Sequence, residues 1–161
     1  MQKTLNPGGL KLKIGVFLLP ALLFLADRGI KNYVEHSLPL EGAFWIPRFL
    51  GIELFRNPGL AFGIPLQPAL IIALSLLAFV LAITSVRSHK KTVSIIFALE
   101  LVLLGGSSNF YDRVANGYVI DYLRIGPISV INLADIMVLT GITLLVIHQK
   151  NAKNGQNTHF D

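Results

Sequence analysis

The chain has 161 residues, of which 53% are hydrophobic and only 14% are charged, and it contains no cysteine. The charged fraction lies well below the ~25% that is typical of soluble domains. With a mean hydropathy of +0.62, the composition excludes an ordinary soluble domain and indicates a membrane protein. The lack of cysteine excludes disulfide scaffolds, thiolate metal sites and cysteine nucleophiles. The net charge of +5 comes from residues scattered between apolar runs, so it does not indicate a nucleic-acid surface.

Four apolar runs are long enough to cross the ~30 Å hydrocarbon core of a bilayer as helices. They cover approximately residues 14–34, 68–86, 92–111 and 125–147. The first run ends in Ala26, Asp27 and Arg28, which is not a small-x-small cleavage site, so we expect a retained span rather than a signal peptide. The sequence therefore predicts one integral membrane domain with four helices, and polar tails at residues 1–9 and 151–161 that are disordered.

The basic residues near the ends of these runs predict the orientation of the chain. Eight of the 14 lysines and arginines fall on the side that holds both termini. They are Lys3, Lys11, Lys13, Arg87, Lys90, Lys91, Lys150 and Lys153. The other side carries the remaining six together with most of the acidic residues. We expect both termini to be cytoplasmic.

The segment between the first two runs, residues 35–67, is too apolar for a solvated loop. From Leu50 to Arg56 the side chains partly alternate, and Asn57-Pro58-Gly59 follows as a turn. This pattern predicts a small hairpin that lies on the outer face of the membrane. Its aromatic side chains, with Trp45 among them, suit a belt at the level of the lipid headgroups, which is the more common role, or a cradle for a lipid-bearing substrate.

A second strand pattern covers residues 118–123 on the same outer side. Alternation along it places Asp121 opposite to Ile120 and Tyr122. We expect this strand to line a pocket.

Ionisable side chains at membrane depth are costly, so each of them is a candidate for function. Asp27 and Lys31 are four residues apart and share a helix face, where they can form an ion pair. Gly105 and Gly106 allow two helix backbones to approach closely. Within two helical turns after them, and at the outer end of the fourth run, carboxyl, carboxamide and guanidinium groups follow. These are Asn109, Asp112, Arg113, Asn132 and Asp135.

Two carboxyl groups in one site cannot both ionise cheaply, so one holds a proton while the other removes a proton from a water molecule. The water attacks a carbonyl, and the protonated carboxyl donates a hydrogen bond to the developing oxyanion. Four aspartates lie at a suitable depth, namely Asp27, Asp112, Asp121 and Asp135. Asp121 and Asp135 have no cation adjacent in the sequence, which makes them the better candidates for a shared proton.

Five motifs occur in order at the outer ends of the spans or in the outer loops. They are Asp27-Arg28-x-x-Lys31, Asn57-x-Gly59-x-Ala61-Phe62, Gly105-Gly106-x-x-Asn109-x-x-Asp112-Arg113, Gly117-x-Val119-x-Asp121-Tyr122 and Asn132-x-Ala134-Asp135-x-x-Val138. Together they resemble the lipoprotein signal peptidases of bacteria, the type II signal peptidases. Arg28 stands where glutamine is common in that family, Ser108 where glycine is usual, and Ile131 where phenylalanine is usual.

The resemblance implies a fold of four transmembrane helices with an outer β-cradle and a short amphipathic helix. It implies that Asp121 and Asp135 are the catalytic pair of an aspartyl endopeptidase. The substrate implied is a prolipoprotein that carries diacylglyceryl on the cysteine of its lipobox, cut before that cysteine at the outer leaflet of the bacterial inner membrane. The residues implied to bind substrate or support the site are Asn57, Gly59, Asn109, Arg113, Asn132, Asp27, Lys31 and Asp112. No cofactor, metal or nucleic acid is needed, and we expect a monomer that contacts membrane lipids.

One acidic residue, Glu100, falls in the middle of the third run and outside these motifs. We interpret it as a neutral, hydrogen-bonded structural carboxyl. It also motivates an alternative function, a small proton-coupled transporter or relay subunit. Against that alternative, the other polar groups gather at one end of the spans, whereas a conduction path needs them along its whole length.

Overall fold

The computed structural model describes residues 7–59, 80, 84 and 92–157. Three long helices and four strands cover most of these ranges. In chain order they are α1 (Pro7–His36), β1 (Ala43–Ile46), β2 (Leu50–Asn57), α2 (Val93–Asn116), β3 (Val119–Ile125), β4 (Ser129–Ile131) and α3 (Leu133–Asn157). The predicted second span, residues 68–86, lies outside the described residues apart from Val80 and Thr84, which are both helical.

The helices α2 and α3 pack most extensively, and α1 lies against both of them. Two glycines allow the close approach of α2 and α3. A Cβ on Gly105 would lie 2.6 Å from the carbonyl oxygen of Ala134, and one on Gly141 would lie 2.5 Å from that of Ala98. The predicted role of Gly105 is therefore confirmed, while that of Gly141 was not anticipated. These contacts fix where the N-terminus of α3 sits relative to the C-terminal half of α2.

The four strands form one antiparallel sheet in the order β1-β2-β3-β4. The predicted hairpin is present as β1 and β2, and the predicted second strand is present as β3. In the pairing of β2 with β3, Asn57 lies opposite Val119 and Phe55 opposite Asp121. This register brings Asn57 and Asp121 to the same end of the sheet, next to the helices.

The start predicted for the fourth span is wrong. Residues 125–131 belong to the end of β3, a turn and β4, and α3 begins only at Leu133. The apolar side chains of this stretch pair in the sheet, where Ile125 lies opposite Ser129 and Leu123 opposite Ile131. Gly126, in the turn between β3 and β4, adopts a φ of +75°, a left-handed conformation that suits glycine.

Two described helices are long and apolar enough to cross a membrane, Val93–Asn116 and Leu133–Asn151. α1 carries Asp27, Arg28 and Lys31 in its second half. Helical structure also continues into both segments that were expected to be disordered, from Pro7 at one end and to Asn157 at the other, because each added residue of a formed helix gains a backbone hydrogen bond. The short amphipathic helix implied by the family resemblance is not among the helices of the described ranges.

Candidate active site

The N-terminus of α3 is closed by a reciprocal pair of hydrogen bonds between Asn132 and Asp135. The backbone N–H of Asp135 donates to Asn132 Oδ1 at 2.8 Å, and the backbone N–H of Asn132 donates to Asp135 Oδ2 at 3.4 Å. This is a capping box, in which the residue before the helix and the third residue within it satisfy each other's backbone donors. The three-residue spacing noted in the sequence thus fixes the Asp135 carboxylate at the start of the helix.

The other free N–H groups of this helix end are bound by side chains from distant parts of the chain. The Tyr122 hydroxyl accepts a hydrogen bond from the N–H of Leu133 at 3.0 Å and donates one to Asp27 Oδ1 at 3.1 Å. Asp27 Oδ1 also accepts from the N–H of Ala134 at 3.2 Å. Burial raises the pKa of the Tyr122 phenol, and the negative charge of Asp27 raises it further, so the hydroxyl keeps the proton that it donates.

Asp121 lies on β3 with only 2% of its surface exposed. Its two carboxyl oxygens accept hydrogen bonds from two carboxamides, from Asn132 Nδ2 at 2.6 Å and from Asn57 Nδ2 at 2.9 Å. Burial raises the pKa of Asp121 to about 6; the bond from Asn57 lowers it, and the negative charge of Asp135 raises it. Asp121 is therefore a carboxyl that changes protonation close to neutral pH.

Asn132 connects the two carboxyl groups of the site. Its side-chain NH₂ donates to Asp121, while its side-chain oxygen accepts from the backbone of Asp135. Asp135 receives a further hydrogen bond on Oδ1 from Asn109 Nδ2 at 2.7 Å. The pair of Asp121 and Asp135, called the carboxyl pair below, is thus held by three carboxamides from β2, α2 and the start of α3.

A second group of charged side chains lies next to the carboxyl pair and joins α1 to α2. It consists of Asp27, Arg28, Lys31 and Asp112, called the charge quartet below. Lys31 Nζ lies 3.1 Å from Asp27 Oδ2 and 2.8 Å from Asp112 Oδ2, so the predicted Asp27–Lys31 ion pair is present. Arg28 binds the other oxygen of Asp112. Asp27, Lys31 and Asp112 are fully buried.

The charge quartet contacts the carboxyl pair through Asn109. Lys31 Nζ donates to Asn109 Oδ1 at 2.8 Å, and the amide group of Asn109 donates to Asp135. Because Lys31 engages the oxygen of the carboxamide, the NH₂ group must face Asp135. The cation thereby fixes the orientation of a neutral donor in the site.

Arg113 and Gly59 lie at the edge of the same region. Arg113 NH2 donates to the carbonyl oxygen of Gly59 at 3.3 Å, and the N–H of Gly59 donates to Asn57 Oδ1 at 3.0 Å. Arg113 Nε is buried and has no hydrogen-bond partner among the described residues. Arg113 therefore links the turn after β2 to α2 and retains an unused donor.

The structure brings together all ten residues that sequence reasoning singled out for the site, and it adds three, Arg28, Ser108 and Tyr122. Ser108 Oγ donates to Asp27 Oδ2 at 2.6 Å, and Tyr122 binds both Asp27 and α3. Arg28 also reaches Ser108, at 3.4 Å from both its carbonyl oxygen and its hydroxyl. Two of the positions that depart from the family pattern, Arg28 and Ser108, are thus in contact, although they are 80 residues apart in the sequence.

Glu100 lies apart from this region on α2. Its Oε2 is buried without a hydrogen-bond partner in the described part of the chain, so the expected hydrogen bond to that oxygen is not observed there. Within the same part of the chain, no three histidine, aspartate or glutamate side chains are grouped so that they could hold a metal ion. The chemistry that the described site offers is therefore that of paired carboxyls and carboxamides.

Comparison with known proteins identifies relatives over most of the chain. Residues 19–150 match the family model for signal peptidase II. The lipoprotein signal peptidase of Streptococcus pneumoniae is 32% identical over 82% of this chain and 90% of its own length. That of Enterococcus faecalis is 30% identical over 91% of this chain and 97% of its own. A solved bacterial membrane enzyme superposes with a TM-score of 0.78 at 22% identity, over 96% of this chain and 95% of its own.

Proposed function

Because the chain belongs to the signal peptidase II family of membrane proteases, we propose that it is an aspartyl endopeptidase that uses Asp121 and Asp135. Its substrate is a prolipoprotein whose lipobox cysteine already carries diacylglyceryl, and the bond before that cysteine is cut. The observation that carries this proposal is the connection of the two carboxyls through Asn132, whose side chain donates to Asp121 and whose backbone N–H donates to Asp135. Two carboxyls held this way can share one proton.

The reaction needs one ionised and one protonated carboxyl. The ionised carboxylate removes a proton from a water molecule while the water oxygen bonds to the scissile carbonyl carbon. The protonated carboxyl donates a hydrogen bond to the carbonyl oxygen, which becomes an oxyanion. The carboxyl that took the proton from water then passes it to the peptide nitrogen, the bond from that nitrogen to the carbonyl carbon breaks, and the carbonyl re-forms.

The carboxamides support this chemistry by orienting the two aspartates. Asn57 and Asn132 occupy both oxygens of Asp121, and Asn109 occupies one oxygen of Asp135. Neutral donors fix the position of a carboxyl without preventing it from taking up a proton. The raised pKa of Asp121, about 6, means that this carboxyl can both take up and release a proton at mildly acidic pH.

The proposed topology places this site at the outer leaflet. Four spans cross the inner membrane with both termini in the cytoplasm, so that the sheet and the carboxyl pair lie on the periplasmic side. Trp45, Phe49 and Phe55 on β1, β2 and their turn are exposed, which suits contact with lipid headgroups or with the acyl chains of a lipid-modified substrate. The protein acts as a monomer in contact with membrane lipids.

The test is cleavage of a diacylglyceryl-modified lipobox substrate by the purified protein. We expect Asp121→Asn and Asp135→Asn each to lower cleavage by a factor on the order of 10³ or more. The matched control is Glu53→Gln, which removes a carboxylate paired with Arg124 on the sheet and should leave cleavage near the wild-type rate. Mass spectrometry of the product shows whether its new N-terminus is the lipid-modified cysteine. Near wild-type cleavage by either aspartate variant would remove that residue from the proposed pair.

A further inference from the structure

Arg28 is a charged residue of the charge quartet that the proposed mechanism does not use. It lies at the outer half of α1, and its side chain is 25% exposed, whereas those of Lys31 and Asp112 are fully buried. Its guanidinium binds one oxygen of Asp112 and lies 4.5 Å from the centre of the Tyr111 ring. Arg28 is thus the partly exposed member of the quartet, while the other three members are fully buried.

A continuous series of contacts leads from Arg28 to the carboxyl pair. Arg28 binds Asp112, and Asp112 binds Lys31 at 2.8 Å. Lys31 donates to Asn109 at 2.8 Å, and Asn109 donates to Asp135 at 2.7 Å. Asp112, Lys31 and Asn109 in this series are buried, so little water screens the charges between them.

The charges of the quartet balance. Asp27 and Asp112 supply two negative charges, and Arg28 and Lys31 supply two positive charges. Without Arg28, Lys31 would be the one cation left in the quartet for both carboxylates, and the quartet would carry a net negative charge beside Asp135. A buried group that loses its partner is costly, and a negative charge beside a carboxyl opposes its ionisation.

We propose that Arg28 is a positioning residue: by neutralising Asp112 it leaves the charge of Lys31 available to Asn109 and the carboxyl pair, and so sets the pH at which that pair ionises. The importance of Arg28 for cleavage rests on the proposed function, but its electrostatic effect on the carboxyl pair does not. Charged or titratable groups face the carboxyl pair from three elements packed around it, α1, α2 and β3. They are Asp27 and Lys31 from α1, Asp112 and Arg113 from α2, and Tyr122 from β3.

The direction of the effect follows from the sign of the charges. Lys31 lowers the pKa of Asp121, and Asp135 raises it, so Asp121 responds to charges on both sides of Asn109. Removal of the positive charge of Arg28 should therefore raise the pH at which Asp121 ionises. For the loss of a unit charge in a partly buried environment, the expected rise is about half a pH unit or more.

The experiment follows the Asp121 carboxyl directly. Full-length protein labelled with ¹³C-aspartate is purified in detergent, and the side-chain signal of Asp121 is assigned by its loss in Asp121→Asn. The midpoint of its titration is then compared between wild type and Arg28→Gln. Two matched controls accompany it: Arg28→Lys keeps the charge, and Arg56→Gln removes an exposed arginine that pairs with Glu35 outside the quartet. We expect the midpoint to rise in Arg28→Gln and to stay at the wild-type value in both controls.

Two results would overturn the proposal. One is an unchanged midpoint in Arg28→Gln; the other is an equal rise in Arg28→Lys, which would show that the shape of the guanidinium matters and not its charge. The pH dependence of cleavage separates this inference from the proposed function. A shifted titration together with a shifted acid limb of cleavage supports both, whereas a shifted titration without any change in cleavage supports the role of Arg28 and contradicts the catalytic role of Asp121.

Discussion

The charge quartet and the carboxyl pair each contain two aspartates, yet the partners of these aspartates differ. Asp27 and Asp112 are bound by cations, through Lys31 and Arg28. Asp121 is bound only by carboxamides among the hydrogen bonds described above, and Asp135 by a carboxamide and a backbone N–H. A cation fixes the charge of its partner, whereas a neutral donor fixes only the position. The same residue type thus pairs with cations in one cluster and with neutral donors in the other.

Removal of a cation from the quartet should have the largest effect on stability. Lys31→Met leaves Asp27 without its ion-pair partner in a fully buried place, and loss of one partner of a buried pair typically costs about 3–5 kcal/mol. We expect a large fall in the midpoint of thermal unfolding in detergent, together with loss of cleavage. Arg56→Met, at an exposed ion pair, is the control and should change stability little. A Lys31→Met protein as stable as wild type would show that the quartet does not hold α1 to α2.

Replacement of an aspartate in the carboxyl pair should instead change how stability depends on pH. Asp121 has a folded-state pKa of about 6, raised from its ordinary value of 3.8. Its protonated form therefore favours folding at low pH, and this contribution is lost as the pH rises through about 6. Relative to Asp121→Asn, the wild type should lose on the order of 2–3 kcal/mol between pH 4 and pH 8.

Unfolding of both proteins measured across that pH range tests this expectation. The difference between them should grow with pH in favour of Asp121→Asn, whatever its value at pH 4. A difference that stays constant would mean that Asp121 is ionised throughout, and the contrast between the two clusters would then disappear. Glu53→Gln serves again as a control for the loss of a surface carboxylate.

The smallest of these effects is expected at Tyr122, which joins Asp27 of the charge quartet to the start of α3. Tyr122→Phe removes one hydrogen bond to Asp27 and one from the backbone of Leu133. Each is worth about 1 kcal/mol, so we expect a modest fall in thermal stability. Because the hydroxyl also fixes the end of α3, cleavage should fall a few-fold without a change in its pH dependence. A shifted pH profile would instead show that Tyr122 acts electrostatically on the carboxyl pair.

The sequence predicted those parts of the site that depend on local spacing. The faces shared by Asp27 and Lys31, and by Asn132 and Asp135, follow from helical periodicity, and the close approach at Gly105 follows from residue size. The predicted start of the fourth span was wrong because the apolar residues 125–131 are compatible with both a membrane span and a strand. Only their pairing in the sheet decides between the two. Two contacts, that of Arg28 with Ser108 and that of Tyr122 with Asp27, could not be predicted from the sequence. They join residues that are 80 and 95 positions apart, and local sequence patterns carry no information about such long-range packing.

The way α3 begins has a consequence for how the protein is made. Asp135 and Asn132 come from the last helix to leave the ribosome, while Asp27, which binds the same helix end, comes from the first. The site can be assembled only after synthesis has passed α3 and that helix has inserted beside α1 and α2. A nascent or truncated chain without α3 therefore lacks Asp135, and with it the complete carboxyl pair on which the proposed activity depends.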